Sequence, residues 1–164
     1  MPNFSFDIVS EVNFQEVDNA LNQAKKELSQ RYDFKGSKSR IDYNPDEKKI
    51  TLIGDDDYKL NAVREILVGR MVKRGVSVKA LNFKDPEQAF EGTLRQVVEI
   101  TSGIPKERTK ELNKIIKDLN LKVQTQVEGE KLRVSAAKKD DLQAVIQHLR
   151  SIDFPLALDF TNYR

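Results

Sequence analysis

Apolar residues recur along the chain with two different periods, which predict alternating strands and helices. Over residues 4–12 every second side chain is mostly apolar, as in a half-buried strand. From Asn13, a helix-capping residue type, apolar residues recur at steps of three and four to about Tyr32 and predict an amphipathic helix. Two short strands joined at an Asn-Pro-Asp turn follow. A second helix is then predicted to end at Gly75, and a fourth strand to begin at Val76.

The same order of elements returns after residues 84–93, where proline and glycine predict a connector. Residues 94–101 are predicted to form a strand. Pro105 suits the first turn of a third helix, and Asn120 can end that helix in the left-handed conformation. Two strands joined at a Glu-Gly turn, a fourth helix and a last strand over residues 156–160 complete the pattern.

The two halves of the chain resemble each other in sequence. Residues 60–63 (Leu-Asn-Ala-Val) correspond to residues 142–145 (Leu-Gln-Ala-Val), and the same offset of 82 residues aligns core positions of two strands and a helix without a gap. This indicates a duplicated strand–helix–strand–strand–helix–strand unit. The natural arrangement is a four-stranded antiparallel sheet with two helices on one face. We therefore predict an α+β fold of two ferredoxin-like (βαββαβ) domains, spanning residues 1–90 and 91–164.

Composition narrows the classes of function. Of 164 residues, 38% are apolar and 33% charged, and the net charge is only +2, so a nucleic-acid site would have to be local. The chain has no cysteine, which fits a reducing compartment and excludes a thiolate metal site. We see neither a signal-peptide pattern nor an apolar run near the roughly 20 residues that span a bilayer. We therefore expect a cytoplasmic protein without a membrane partner.

One segment, Arg31–Arg40, combines positive charge, aromatic rings and a flexible Gly-Ser joint more closely than any other. Such a mixture suits a phosphate group together with a base that can stack. The alternative is a solvated helix-to-strand loop whose rings cap the core. The candidate binding residues are the cations Arg31, Lys35, Lys38 and Arg40 and the rings of Tyr32 and Phe34.

Two further surfaces are candidates for binding anions or RNA. At the strand-to-helix turn over residues 102–106, exposed N–H groups and Lys106 could attract an anion, although Pro105 removes one donor. In the second half, Lys122 and Arg133 are expected on the uncovered sheet face, as in RNA-binding sheets of this kind. The alternative is a polar face that simply meets water. The polar positions expected there are Lys122, Gln124, Gln126, Lys131 and Arg133, and in the first half Arg40, Asp42, Lys49 and Thr51.

Signatures of catalysis are few. The one histidine, His148, corresponds by the repeat to Ile66 on an apolar stripe, which favours a structural role over a catalytic or metal-binding one. The acidic runs 55–57 and 140–141 fall at helix starts, where capping explains them; a carboxylate metal site is the alternative. Neither a glycine-rich phosphate loop nor the aromatic string of an ordinary RNA-recognition motif is present. We therefore predict a protein that is not an enzyme and needs no cofactor or metal.

Several motifs resemble the bacterial YajQ family, and the resemblance covers essentially the whole chain. They are Phe6-Asp7-Ile8-Val9-Ser10-Glu11, Arg31-Tyr32-Asp33-Phe34-Lys35-Gly36-Ser37, and the run from Leu121 through Arg133 to Gln143. The resemblance implies two ferredoxin-like halves that exchange their first strands. Residues 4–12 would then pair in the sheet of the second half, and residues 94–101 would be exchanged likewise. Tyr32 stands where phenylalanine is common in the family, which keeps the ring.

The family resemblance also implies a function. It implies a cytoplasmic bacterial protein that binds purine nucleotides, cyclic-di-GMP or tRNA, without an established enzymatic activity. We expect a non-enzymatic nucleotide- or RNA-binding protein that could serve as a signalling effector. The alternative is a protein-interaction adaptor that modulates a transcription regulator.

Overall fold

The computed structural model describes residues 4–164, and these contain four α-helices and two antiparallel sheets. The prediction of an α+β fold is therefore confirmed. The chain divides into two units. The segment Val12–Thr101 forms one of them, here called the continuous unit. The other, called the split unit, combines the N-terminal segment through Glu11 with Ser102–Arg164.

The continuous unit packs two helices against one face of its sheet. Its strand order is β2-β3-β6-β4, all neighbours are antiparallel, and the short β5 also pairs with β6. Ile50, Leu52 and Leu67 are among the fully buried residues of its core. The elements are α1 (Phe14–Gln30), β2 (Arg40–Asn44), β3 (Lys49–Gly54), α2 (Asp57–Lys73), β4 (Leu81–Phe83), β5 (Glu87–Gln88) and β6 (Leu94–Ile100).

The first helix of this unit begins, and the second ends, where local sequence signals place them. The Asn13 side chain accepts the N–H groups of Gln15 and Glu16 at 3.0 and 3.3 Å, which confirms the predicted cap of α1. At the end of α2, Gly75 adopts a φ of +80°, a conformation that a glycine takes without steric cost. The predicted end of α2 is thus confirmed.

The strand predicted from Val76 is wrong in its position. Residues 78–80 form a single 3-10 turn, because the Ser77 side chain accepts the N–H of Lys79 at 3.2 Å and closes the backbone locally. The strand begins only at Leu81. The predicted connector also contains the two-residue strand β5 and a second 3-10 turn at Phe90–Gly92.

The split unit has the same arrangement, with β1 in the middle of its sheet. The strand order is β7-β8-β1-β9, and Asp7 stands opposite both Arg133 and Thr161. β1 thus pairs with strands of the second half, while β6 lies between β3 and β4. This is the exchange of first strands that the family resemblance implied. The elements are β1 (Phe4–Val9), α3 (Lys106–Lys117), β7 (Val123–Glu128), β8 (Lys131–Ala136), α4 (Lys139–Ser151) and β9 (Asp159–Thr161).

The core of the split unit lies between its sheet and its two helices. Phe6, Ile8, Leu132 and Leu112 are fully buried there. Asn120 has a φ of +56°, so the left-handed conformation predicted after α3 is confirmed. The last strand is shorter than predicted and begins at Asp159. Among residues 4–164 no helix combines the length and the apolar character needed to cross a membrane.

Candidate functional site

The segment Arg31–Arg40, here called the elbow, connects α1 to β2. α1 ends at Gln30, and residues 32–34 then form one 3-10 turn. Gly36 follows with a φ of +75°, which lets the chain reverse without the strain that a side chain would cause. The first half of the elbow is therefore an ordered turn with a defined backbone conformation.

The two aromatic rings of the elbow have different environments. Phe34 is 7% exposed and belongs to the core, where the Nζ of Lys59 lies 4.8 Å from its ring centre. Tyr32 is 88% exposed. The core-capping interpretation thus describes Phe34, whose ring is not accessible to a base. Tyr32 is the elbow ring that a ligand can reach.

Three of the four elbow cations have acidic partners. The guanidinium of Arg31 donates to both carboxylate oxygens of Asp33, at 3.0 and 2.7 Å; this pairing raises the pKa of Arg31 and lowers the pKa of Asp33. Lys38 lies 2.7 Å from Glu91.

Arg40 is the third paired cation: it donates to Asp42 at 2.8 Å and lies 5.5 Å from the ring centre of Phe90. The fourth cation behaves differently. Lys35 is exposed, and its side chain has no partner among residues 4–164. The local positive charge is therefore smaller than the count of cations suggests, and Lys35 is the most available of them.

Asp55 fixes the second half of the elbow. Its Oδ1 accepts the N–H of Lys38 at 2.9 Å, and its Oδ2 accepts from the hydroxyl of Ser37 and, at 3.4 Å, from that of Ser39. Burial alone would raise the pKa of the Asp55 carboxyl, but these hydrogen bonds and the charge of Lys59 lower it below the ordinary value. The carboxylate therefore stays ionised and orders the loop that carries the cations.

The acidic run 55–57 is thus used structurally. Asp55 anchors the elbow, and Asp56 caps α2 by accepting the N–H of Lys59 at 2.8 Å. Among residues 4–164 no three carboxylates or histidines are grouped closely enough to hold a metal ion. His148 lies half-buried in the last turn of α4.

The structure contains two further exposed rings that were not among the predicted binding residues. Tyr58, in the first turn of α2, is 75% exposed. Phe90 is 46% exposed and contacts Arg40. Both come from elements distant in sequence, so the local composition of the elbow gave no signal for them.

A polar groove of about 490 Å³ adjoins the elbow at the C-terminal end of α1. Arg70 crosses from α2 and pairs with Glu27 at 2.9 Å, and Glu27 also lies 3.9 Å from Arg31. The sequence did not predict this groove, because Arg70 is remote in sequence from α1. The only local indication of it was the pair of polar residues Lys26 and Gln30 on the exposed side of α1. Its lining residues are Gln23, Lys26, Glu27, Gln30, Arg31 and Arg70.

The remaining predicted residues belong to the split unit. Lys106 is exposed as the first residue of α3. However, the N–H groups of Gly103 and Ile104 already donate to the backbone oxygens of Ser10 and Glu130, at 2.6 and 2.9 Å. The turn therefore does not offer those donors to an anion.

Lys122 and Arg133 differ in how accessible their charged groups are to a ligand. Lys122 is exposed just before β7, whereas Arg133 is half-buried and donates to Asp7 at 3.0 Å and to Glu128 at 2.9 Å. Asp7 is on the same face of the sheet and is only 1% exposed. This face is consequently not the uniformly open polar platform that the alternation predicted.

Comparison with known proteins identifies the family. Residues 4–164 match the family described as nucleotide-binding protein YajQ-like. The chain belongs to this family. It is 58% identical over 161 residues to a nucleotide-binding protein of Endomicrobium trichonymphae and 54% identical over 161 residues to one of Carboxydothermus hydrogenoformans, in both cases over 98% of each chain. A nucleotide-binding protein of Enterococcus faecalis is 47% identical over 160 residues, which are 98% of this chain and 96% of that protein.

The resemblance found in the sequence is therefore confirmed over nearly the whole chain. The YajQ-like family is named for binding and not for a reaction. In this member, the elbow offers an accessible ring, an available lysine and an ordered loop. Such an arrangement can hold a planar, phosphorylated molecule.

Proposed function

We propose that this YajQ-like protein binds a nucleotide at the elbow, with Tyr32 stacked on the base and Lys35 and Lys38 near the phosphates. The observation that carries the proposal is the 88% exposure of Tyr32 on a turn that Asp33 and Asp55 hold in place. An exposed ring beside cations is a ready stacking platform, and each stacked base contributes about 1–3 kcal/mol. The names of the family and of the relatives support the same ligand class.

The charges at the elbow favour a small ligand. Arg31 and Arg40 are engaged by Asp33 and Asp42, so few charges are free to meet phosphates. Lys38 is also paired, with Glu91, but that pair is exposed, and giving it up costs at most about 1 kcal/mol. A purine nucleotide or cyclic-di-GMP fits two available lysines better than tRNA does. A cytoplasmic location and a role as a signalling effector are part of this proposal.

Calorimetric titration with ATP, GTP, cyclic-di-GMP and tRNA at two salt concentrations tests the ligand class. Two phosphate contacts should give a shallow dependence of log K on log salt, with a slope of about −1 to −2. A tRNA that crosses many cations would give a slope steeper than about −4. Chromatography of the nucleotide after incubation should recover it unchanged, because we propose binding without turnover.

Substitutions at the elbow test the site. We expect Tyr32→Ala to weaken binding by about tenfold through the lost stacking, and Tyr32→Phe to bind like the wild type. The double variant Lys35→Ala/Lys38→Ala should bind more weakly and with a shallower salt slope. The matched control is Lys110→Ala/Lys114→Ala, which removes the same charge from exposed positions of α3.

Two outcomes would contradict the proposal. Wild-type affinity in both folded elbow variants would remove the elbow as the site. A titration without heat for every nucleotide, together with one stoichiometric protein partner, would favour the adaptor function instead.

A further inference from the structure

β7 forms an edge of the split unit's sheet. It pairs with β8 on one side, and no strand among residues 4–164 pairs with its other side. Edge strands are usually protected by charged residues, proline or shortness. β4 and β9 have only three residues each, and β2 carries Arg40 and Asp42. β7 has six residues, of which only the last is charged, and no proline. It is the least protected of these edges.

The surface beside β7 contains a groove and is partly apolar. Val127 is 49% exposed although Leu132, opposite it on β8, is fully buried. A groove of about 530 Å³ separates β7 from the C-terminal half of α3. On its wall, the Oδ1 of Asn113 is buried without a hydrogen-bond donor among residues 4–164. The apolar wall is formed by Ile116, Leu121 and Val123.

We propose that β7 pairs in antiparallel orientation with β7 of a second copy of this chain, about a two-fold axis at Thr125. In this register Thr125 faces its own counterpart. Every other cross-strand pair is then complementary in chemistry. Val123 faces Val127, Gln124 faces Gln126, and Lys122 faces Glu128.

The sequence of β7 favours a second copy over an unrelated peptide. A shift of one residue would set Val123 opposite Glu128 and would lose both the apolar and the charged pairs. In the proposed register the exposed Val127 of one copy reaches Val123, at the groove of the other. The strand thus carries both halves of its own interface, which is the requirement for a two-fold symmetric contact.

A charge exchange tests this register directly. Lys122→Glu alone sets two acidic side chains opposite each other, and Glu128→Lys alone sets two basic ones. Each variant should therefore dimerise at least about tenfold more weakly than the wild type. An equimolar mixture of the two variants pairs opposite charges at both ends, so it should regain dimers as heterodimers. Analytical ultracentrifugation over a concentration series measures all three, with circular dichroism as the check of folding.

A cysteine at the axis provides a second readout. The chain contains no cysteine, so Thr125→Cys introduces a single thiol that meets its counterpart at a distance typical of disulfides. Mild oxidation should give a covalent dimer with Thr125→Cys and not with Gln147→Cys, an exposed control position on α4.

The proposal is overturned if the wild type sediments as a monomer at every concentration and Thr125→Cys does not cross-link. It is also overturned if dimers form but both charge variants dimerise as the wild type does, because the interface then lies elsewhere. A monomer whose β7 edge takes up an unrelated extended peptide would equally exclude the second copy as the occupant.

Discussion

At the scale of single residues, the most unusual environment is that of Asp7, a carboxylate that is 1% exposed. Its two oxygens accept from the Nε of Arg133 at 3.0 Å and from the Nδ2 of Asn162 at 2.9 Å. Burial alone would raise the pKa of Asp7. The hydrogen bonds from Asn162 and Arg133, with the charge of Arg133, outweigh it and lower the pKa below its ordinary value of 3.8.

Asp7 should therefore contribute to stability in a pH-dependent way. Because its pKa is lower in the folded than in the unfolded chain, the contribution is complete above the unfolded pKa and is lost as pH falls through the folded pKa. We expect Asp7→Asn to reduce the free energy of unfolding at pH 7 by about 2–4 kcal/mol, since it leaves Arg133 without its buried charged partner. Urea denaturation at pH 7 and at about pH 3 measures the effect.

The pH dependence of stability distinguishes the loss of the Asp7 charge from poor packing of the asparagine side chain. Asp7→Asn should lose less stability on acidification than the wild type does, because it has no carboxylate to protonate at this position. Asp42→Asn, which removes an exposed carboxylate paired with Arg40, is the control and should change stability by less than about 1 kcal/mol. An acid-induced loss of equal size in Asp7→Asn and the wild type would contradict the role given to Asp7.

The alternation of side chains predicted which face a residue occupies, but not what surrounds it. By alternation Asp7 belongs to the polar face of a half-buried strand, yet Arg133 and Asn162 enclose it. Tyr32 and Phe34 both fitted a stacking role by composition, although one is exposed and the other lies in the core. These differences depend on neighbours that are far away in sequence and leave no local pattern.

At the scale of elements, a close approach between β3 and α2 depends on Gly54. A Cβ added at Gly54 would lie 2.5 Å from the backbone N of Leu60 and 2.6 Å from its Cα. Neither atom can move without shifting the helix. By contrast, Gly69 in the middle of α2 has no atom within 4 Å of an added Cβ.

Alanine at these two glycines should therefore have opposite effects. We expect Gly54→Ala to lower the free energy of unfolding by about 1–3 kcal/mol through overpacking. Gly69→Ala should raise it by about 1 kcal/mol, because alanine is the better helix former and the position is open. Both are measured by urea denaturation in the same buffer. A stabilising Gly54→Ala would show that the approach of β3 and α2 has room for a Cβ, and a destabilising Gly69→Ala would show that position 69 is not open.

Elements with local signals were predicted well, and elements without them were not. Asn13 caps the start of α1 with its own side chain, and Gly75 ends α2 because glycine readily adopts a positive φ. The fourth strand was misplaced because the turn closed by Ser77 outweighs the β propensity of its neighbouring valines. β5 was missed because its two residues pair with β6 without any alternation of their own.

At the scale of the whole molecule, the strand partners could not be predicted from periodicity. Arg133 donates a hydrogen bond to Asp7, which lies 126 positions away in the sequence. A period of two residues identifies a strand and its faces but not its neighbour, so only the family resemblance implied the exchange of β1. The two units share the same order of elements, which is consistent with a duplication. The duplication itself stays a prediction.

The position of β1 predicts how a truncated chain will behave. β1 lies between β8 and β9, and Phe6 and Ile8 are fully buried in the core of the split unit. Without residues 1–11, the two neighbouring strands lose their shared partner, and each missing large side chain leaves a cavity that costs about 2–5 kcal/mol. We expect the chain 12–164 to lose the dispersed amide signals of residues 102–164 in NMR spectra, while residues 12–101 keep theirs.

Addition of the missing strand in trans distinguishes loss of β1 from general instability. A synthetic peptide of residues 1–11 should restore the dispersed signals, because it supplies the paired backbone and the buried rings together. The same peptide with Phe6→Ser and Ile8→Ser keeps the backbone and removes the apolar side chains, so it should not restore them. If residues 102–164 of the truncated chain stay dispersed without any peptide, β1 is not required for the split unit to fold, and its central place in the sheet is not the source of that unit's stability.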